Sequence, residues 1–187
     1  MIASPRAPYD KASSTGHIGN GNFDDADSPH GSNQMFAWDF GAKSIGVELL
    51  AARGGVVASF YDDAVDKEKG SDPNPSPCGG NYIYIRDQAG KFAVYYHEMQ
   101  DQISPYIAQG QIVHRGQVIG KTGLSGCTSG PHVHFEAVST QSSDFAGFRS
   151  RFHVNVWNAG TSAFEDKTCH IVRKSETYES TNVLHVH

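Results

Sequence analysis

The sequence predicts a mainly β fold built from antiparallel sheets. The 187-residue chain contains 20 Gly and 8 Pro spread along its length, a composition typical of many turns and short strands. Short apolar runs alternate with turn-forming residues at the spacing of strands. A helical turn is indicated only at Gln100–Gln109, and Pro105 interrupts it because proline lacks a backbone donor.

The predicted strands follow one another from residue 35 onward. They are Met35–Phe40, Val56–Phe60, Asn81–Asp87, Lys91–His97, Gln111–Val113, Gln117–Gly120 and His132–Val138, followed by the peripheral Phe152–Trp157 and Thr168–Arg173. The third and fourth strands form a predicted hairpin, because Asp87–Gly90 between them has the composition of a turn. The polar, Pro-rich segment Asp66–Pro77 is predicted to be an exposed loop.

The chain divides into three predicted parts. Residues 1–29 are polar and rich in Gly, Ser, Asn and Asp, so we expect an extended N-terminal lead-in. Residues 30–140 form the predicted main domain, and 141–187 a C-terminal extension that packs on or near it. A chain of this length suits one domain of ordinary size.

Charge and hydropathy argue against two classes of protein. The net charge is −5 with no run of Lys or Arg, which argues against a nucleic-acid binder that neutralises phosphates. No stretch approaches the roughly 20 apolar residues needed to cross a bilayer. Met1–Asp10 lacks the apolar core of a signal peptide, so we expect either no export or a chain whose leader has been removed.

Cysteine usage leaves the compartment open. Cys78, Cys127 and Cys169 are too few for a disulfide framework. One bridge and one free thiol fit an exported protein, whereas three buried thiols fit a cytosolic one.

The segment Gly130–Glu136 carries the most informative chemical pattern. In a strand, residues two apart share a face, so His132 and His134 point one way. Val133 and Phe135 then point into the core. At a rise of roughly 3.3 Å per residue, the two histidines lie roughly 7 Å apart along the strand. One can bind a metal while the other reaches a neighbouring water or substrate oxygen, and a less favourable arrangement has both facing the same ion. A solvated strand edge with two histidines is the alternative.

Two other residues change the balance between these interpretations. Asp39 stands alone among large apolar neighbours on a predicted strand, and a buried carboxylate is costly unless it is paired or coordinates a cation. His97 ends the strand that precedes it, where taken singly it fits a core histidine bonded to backbone.

Together these segments resemble the lysostaphin-type (LytM-like) zinc metallo-endopeptidases that cut peptidoglycan peptides. The marks of that family are a histidine and an aspartate near the domain start, an aromatic-x-His segment, and a late Gly-Pro-His-x-His-Phe-Glu. Here they correspond to His30 with Asp39, Tyr95-Tyr96-His97, and Gly130–Glu136. The resemblance runs from about His30 to Val138, and it implies a small split-barrel or sandwich-like domain of antiparallel sheets with exposed loops.

Carried over residue by residue, the resemblance makes His30, Asp39 and His134 the ligands of one zinc ion. His97 and His132 become the catalytic pair. His30 and Asp39 lie further apart than in many members, so His17 is the reserve ligand. Two histidines, one carboxylate and an open fourth position also match a hydrolytic zinc site.

The resemblance implies hydrolysis of peptide bonds by a metal-activated water. One of His97 and His132 would take the proton from the water and deliver it to the leaving amine, and the other would hydrogen-bond the oxyanion. Which histidine plays which part stays open. Glu98 follows His97 where the family usually has Leu, and we expect little effect on the chemistry.

The resemblance also implies the substrate and the place of work. We expect stem peptides or cross-bridges of peptidoglycan, or another peptide, cleaved in the periplasm or the extracellular space. We expect no nucleic-acid partner, no membrane span and a monomer.

Three other functions are weaker interpretations. A catalytically inactive peptidoglycan-binding or regulatory module of the same fold should lack a metal ligand, yet the full set is present. A lipoyl- or biotinyl-type carrier, suggested by the turn-rich Gly110–Gly123, leaves the histidines unexplained. A thiol protease built on Cys127 near His132 also accounts for fewer residues, and a surface thiol or a disulfide is the better interpretation of Cys127.

Overall fold

The computed structural model describes residues 15–17, 37–42, 44–68, 79–141, 152–170 and 177–180. These ranges contain strands and turns but no helix. The strands are β1 (Thr15–His17), β2 (Trp38–Gly41), β3 (Glu48–Leu50), β4 (Gly55–Tyr61), β5 (Asn81–Arg86), β6 (Phe92–Glu98), β7 (Ile112–Val113), β8 (Val118–Lys121), β9 (His132–Val138), β10 (Phe152–Asn158), β11 (Ala163–His170) and β12 (Thr177–Ser180). No helix in this part of the chain has the length and apolar character to cross a membrane.

A six-stranded sheet in the order β2-β9-β6-β5-β4-β7 is the centre of the molecule. All its strand pairs are antiparallel. β3 and β8 form a separate two-stranded ribbon, and β1-β12-β10-β11 form a four-stranded sheet. The predicted mainly β, antiparallel fold is confirmed, and the sheets of the described residues do not close into a barrel.

One face of the six-stranded sheet forms the main hydrophobic core. Its buried side chains include Trp38, Phe40, Ile83, Ile85, Tyr95, Val133 and Phe135. Full burial of one such side chain contributes roughly 1.5–3 kcal/mol. The Tyr95 hydroxyl accepts a hydrogen bond from the Ala52 amide at 2.8 Å, so its polar end is satisfied inside the core. Val133 and Phe135 pack β9 against this core. The histidines of β9 lie on its opposite face.

The hairpin of β5 and β6 forms as its sequence predicts. The carboxylate of Asp87 accepts hydrogen bonds from the amides of Ala89 and Lys91, both at 2.9 Å. Gly90 has a φ of 75°, a left-handed conformation that glycine adopts without steric cost. At Gln100–Gln109 the structure has short turns and no helix, and in one of these turns the amides of Tyr106 and Ile107 donate to the Ile103 carbonyl.

Four strands differ from the prediction. β1, β3 and β12 were not expected, and β11 begins at Ala163 rather than at Thr168. β3 has three residues, too few to show an alternating pattern, and β11 contains the polar run Glu165-Asp166-Lys167 after its first two residues. β1 and β12 pair with each other from opposite ends of the chain, so their partner, rather than their own composition, determines that they are strands. Residues 69–77 of the predicted loop lie outside the described residues.

Candidate active site

Asp39 and His134 lie directly opposite each other on β2 and β9. Directly opposed residues of antiparallel strands place their side chains on the same face. Asp39 Oδ1 lies 3.2 Å from His134 Nδ1 and 3.6 Å from His132 Nε2. Both Asp39 and His134 are largely shielded from water. Charge interactions are stronger in such a place than at the exposed surface.

His97 reaches the same face through a β-bulge near the end of β6. The register between β5 and β6 shifts between Asn81 and Tyr82, which leaves His97 as an extra residue. Its φ of 74° lies in the left-handed region, which costs a residue with a side chain roughly 1–2 kcal/mol. The centre of its ring lies 4.8 Å from that of His132 and 6.2 Å from that of His134. Bulges commonly redirect side chains beside active sites, and this one brings the third imidazole to the group.

The loop Leu124–Pro131, which we call the anchor loop, holds two of the imidazole rings. Nδ1 of His97 lies 2.9 Å from the Ser125 carbonyl oxygen, and Nδ1 of His132 lies 2.9 Å from the Gly130 carbonyl oxygen. A carbonyl oxygen can only accept, so Nδ1 carries the proton in both neutral rings. The Nε2 atoms of both rings are therefore hydrogen-bond acceptors.

Thr128 reinforces this arrangement at His132. The Thr128 hydroxyl donates to the Gly130 carbonyl oxygen at 2.8 Å. The hydroxyl oxygen, Oγ1, lies 3.1 Å from His132 Nδ1. Because its own proton is used on Gly130, the hydroxyl oxygen can accept from the Nδ1–H of His132. Two acceptors thus orient one ring.

The anchor loop is itself fastened to β5 and β6. The Ser125 hydroxyl donates to the Glu98 carbonyl oxygen at 2.8 Å and accepts from the Asn81 amide at 3.0 Å. Gly126 has a φ of 73°, and Cys127 is disulfide-bonded. The anchor loop therefore fixes the positions of the His97 and His132 rings relative to the sheet.

Burial changes the acidity of three groups near this face. Burial, together with the neighbouring His132 and His134, lowers the pKa of His97 to about 3. Burial raises the pKa of Glu136 to about 8 and the pKa of Glu98 well above its usual 4.5. His97 is therefore neutral at neutral pH, in agreement with its single proton on Nδ1.

The structure brings together Asp39, His97, His132 and His134. His30 lies outside the described residues, and His17 is described only as backbone in β1, opposite Thr177. Within the described ranges, no group of three His, Cys, Asp or Glu side chains has a geometry that could hold a metal ion. The ligand set and the catalytic pair therefore stay predictions.

Two residues of the site were not anticipated from the sequence. Ser125 acts through its backbone carbonyl, and because every residue has one, no sequence signal marks it. Thr128 lies four residues before His132 in a loop of small polar residues, where a hydroxyl is unremarkable until the fold places it against the ring.

The chain resembles known peptidases in sequence and in fold. A family model described as Peptidase family M23 matches residues 37–145. Peptidoglycan DD-endopeptidase ShyC of Vibrio cholerae serotype O1 is 32% identical over 91 residues, which are 49% of this chain and only 19% of ShyC. A crystal structure of a zinc-containing peptidase from Vibrio cholerae is 29% identical, with a TM-score of 0.51, and the match covers 72% of this chain and 36% of that one. Pseudoalterin, an M23 metalloprotease from the deep sea, is alike in fold, with a TM-score of 0.56, 17% identity and coverage of 98% of this chain and 100% of its own.

Proposed function

The chain belongs to peptidase family M23, and from that premise we propose that it is a zinc-dependent endopeptidase that hydrolyses peptide bonds of peptidoglycan. The resemblance to LytM-like peptidases in the sequence is thereby confirmed at the level of the family. The observation that carries the proposal is the approach of Asp39 Oδ1 to His134 Nδ1 beside two imidazoles with acceptor nitrogens.

Asp39 and His134, the two proposed ligands among the described residues, are spaced as two ligands of one zinc ion would be. Zinc binds imidazole nitrogen and carboxylate oxygen at about 2.0–2.2 Å in tetrahedral geometry, which separates two ligand atoms by about 3.3 Å. The 3.2 Å between Asp39 Oδ1 and His134 Nδ1 matches that separation. We propose these two atoms as ligands, with His30 as the third.

When bound, zinc supplies Lewis acidity, which lowers the pKa of water and polarises the scissile carbonyl. The chain supplies the proton transfers. His97 and His132 each offer an acceptor Nε2, so either ring can take the proton of the attacking water. A neutral ring with its proton on Nδ1 cannot donate from Nε2. We therefore propose, in place of the expectation from the sequence, that the ring that has taken the proton also hydrogen-bonds the oxyanion. That ring then gives its proton to the leaving amine.

Substrate and compartment are part of the proposal. The relative named above is a peptidoglycan DD-endopeptidase, which supports a bond in peptidoglycan as the target. The disulfide at Cys127 supports an oxidising compartment, because structural disulfides persist in the periplasm and outside the cell. We propose that the chain works there.

The test removes one proposed ligand. His134→Ala should lose zinc and activity together, because the two remaining ligands cannot hold the ion. Zinc is measured by elemental analysis, and activity by the new peptide termini released from purified peptidoglycan.

The matched control is His114→Ala, which changes an exposed histidine of the same domain and should leave both measurements unchanged. Retention of stoichiometric zinc in His134→Ala would contradict the ligand assignment. A zinc-loaded wild type that binds peptidoglycan and releases no termini would support the inactive binding module instead.

A further inference from the structure

One row of residues crosses five strands of the central sheet in register. Asp39 pairs with His134, His134 with Tyr96, Tyr96 with Tyr82, and Tyr82 with Tyr61. Because opposed residues of antiparallel strands share a face, the three tyrosines lie on the same face as the proposed zinc ligands. We call Tyr96, Tyr82 and Tyr61 the tyrosine row.

The rings of this row are in continuous contact with the site. The ring centres of His134 and Tyr96 lie 5.6 Å apart, those of Tyr96 and Tyr82 6.2 Å, and those of Tyr82 and Tyr61 6.1 Å. All three distances are typical of interacting aromatic pairs. Tyr84 supports the row, since its hydroxyl lies 2.7 Å from that of Tyr96 and its ring centre 5.5 Å from that of Tyr82.

The row is partly open to solvent, and its side chains carry no formal charge. Tyr61 is 43% exposed, and Tyr82 and Tyr96 are partly exposed. A tyrosine offers a wide apolar ring and a polar hydroxyl while few rotatable bonds are ordered on binding, which is why tyrosine is enriched at recognition surfaces. An exposed aromatic surface that begins at a hydrolytic centre therefore suits the binding of substrate.

We propose that the tyrosine row binds the peptide of the substrate on one side of the scissile bond, an inference that rests on the proposed function. Three strand spacings, about 14 Å, separate His134 from Tyr61. An extended peptide rises about 3.4 Å per residue, so about four residues cover the row. The three tyrosine side chains carry no formal charge, so we expect an uncharged segment with small or apolar side chains. A sugar attached further along the substrate lies beyond the reach of the row.

The test uses the zinc-loaded wild type, Tyr61→Ala and Tyr82→Ala. The substrates are synthetic peptides that contain the bond the wild type cleaves in purified peptidoglycan, lengthened one residue at a time on either side. We expect kcat/KM of the wild type to rise up to about four residues on one side. Each variant should lose roughly three- to tenfold on the long peptides and cleave the shortest peptide as the wild type does.

Ile112→Ala is the matched control. Ile112 is 67% exposed and pairs with Val56, about 16 Å along β4 from Tyr61 at the usual strand rise. It should cleave every peptide as the wild type does. Circular dichroism checks that each variant is folded.

Two results of the cleavage assay would overturn the proposal. An equal loss at every length would mean that the tyrosines support the fold or the site. A loss on purified peptidoglycan with no loss on any synthetic peptide would assign the row to sugar.

The same peptides given to His134→Ala separate this inference from the proposed function. Undiminished cleavage by that variant would refute the zinc mechanism and leave the length dependence of the tyrosine variants standing. Calorimetry with stem peptides purified from peptidoglycan measures how much the tyrosine row contributes to binding, without turnover. Equal affinity of Tyr61→Ala and the wild type for these peptides would refute the proposal.

Discussion

His97 occupies a conformation that its residue type disfavours. A left-handed φ in a residue with a side chain persists only where the surrounding structure enforces it, and such residues concentrate at functional sites. Here the bulge in β6 and the hydrogen bond to the Ser125 carbonyl hold the residue. The backbone cost is consistent with a ring that has to point away from the core side of its strand.

We predict that His97→Ala retains zinc and loses turnover. The ring is one of the two proposed proton acceptors and is not a proposed zinc ligand, so kcat should fall by about 10²–10⁴-fold. Elemental analysis measures the zinc, and peptidoglycan digestion the turnover. Zinc loss in this variant would show that the division between ligands and catalytic residues is wrong.

The anchor loop is the element on which the two acceptor rings depend. It lies against the start of β5 because Gly126 packs against Gly80; a Cβ on Gly126 would lie 2.8 Å from Gly80 Cα. Two carbon atoms do not approach this closely, so a Cβ on Gly126 would force the backbone at Gly80 or Gly126 to shift. The loop can therefore hold His97 and His132 in place only while positions 80 and 126 are both glycine.

We predict that Gly126→Ala destabilises the chain and lowers its activity. The left-handed φ of 73° alone costs alanine roughly 1–2 kcal/mol, and the contact with Gly80 adds to it. Thermal unfolding measures the stability, and cleavage of purified peptidoglycan the activity.

Gly79→Ala is the control, because a Cβ at Gly79 meets nothing within 4 Å. It should behave as the wild type. An unchanged melting temperature in Gly126→Ala would mean that the loop can move away from Gly80 without cost.

Stability of the whole molecule should depend on Glu98. The side chain is fully buried, and burial raises its pKa well above the usual 4.5. Below pH 4.5 the folded and the unfolded chain both hold the proton, so the group has no effect on stability. As the pH rises above 4.5, the unfolded chain releases its proton first, and stability falls until the pKa of the folded state is reached.

We therefore predict that the wild type loses stability relative to Glu98→Gln as the pH rises from 4.5 through neutrality, because glutamine cannot ionise. The difference in melting temperature between the two proteins, measured across this range, isolates the contribution of the group. Glu48→Gln, which changes an exposed carboxylate, should follow the wild type. Parallel curves for Glu98→Gln and the wild type would refute the assignment.

At the scale of the whole chain, distant segments complete the architecture. β1 and β12 pair although more than 150 residues separate them, and β10 joins β12 to β11. The division into residues 1–29, 30–140 and 141–187 stays a prediction. The pairing does mean that the predicted lead-in and C-terminal extension contribute to one sheet.

The sequence alone determined the fold class, the hairpin at Asp87–Gly90 and the shared face of His132 and His134. All three follow from local rules: alternation along a strand and the conformations that turn residues allow. The sequence also provided the family, because its motifs occur in order along the chain.

Only the tertiary structure decided which side chains meet. The 3.2 Å between Asp39 and His134 and the alignment of the tyrosine row depend on the register between strands that are remote in the chain. The side chain of His97 shares a face with His134 because of a bulge. Strict alternation along β6 would place it on the opposite face from Tyr96. Register and bulges are set by hydrogen bonds and packing between distant segments, and no short stretch of sequence contains that information.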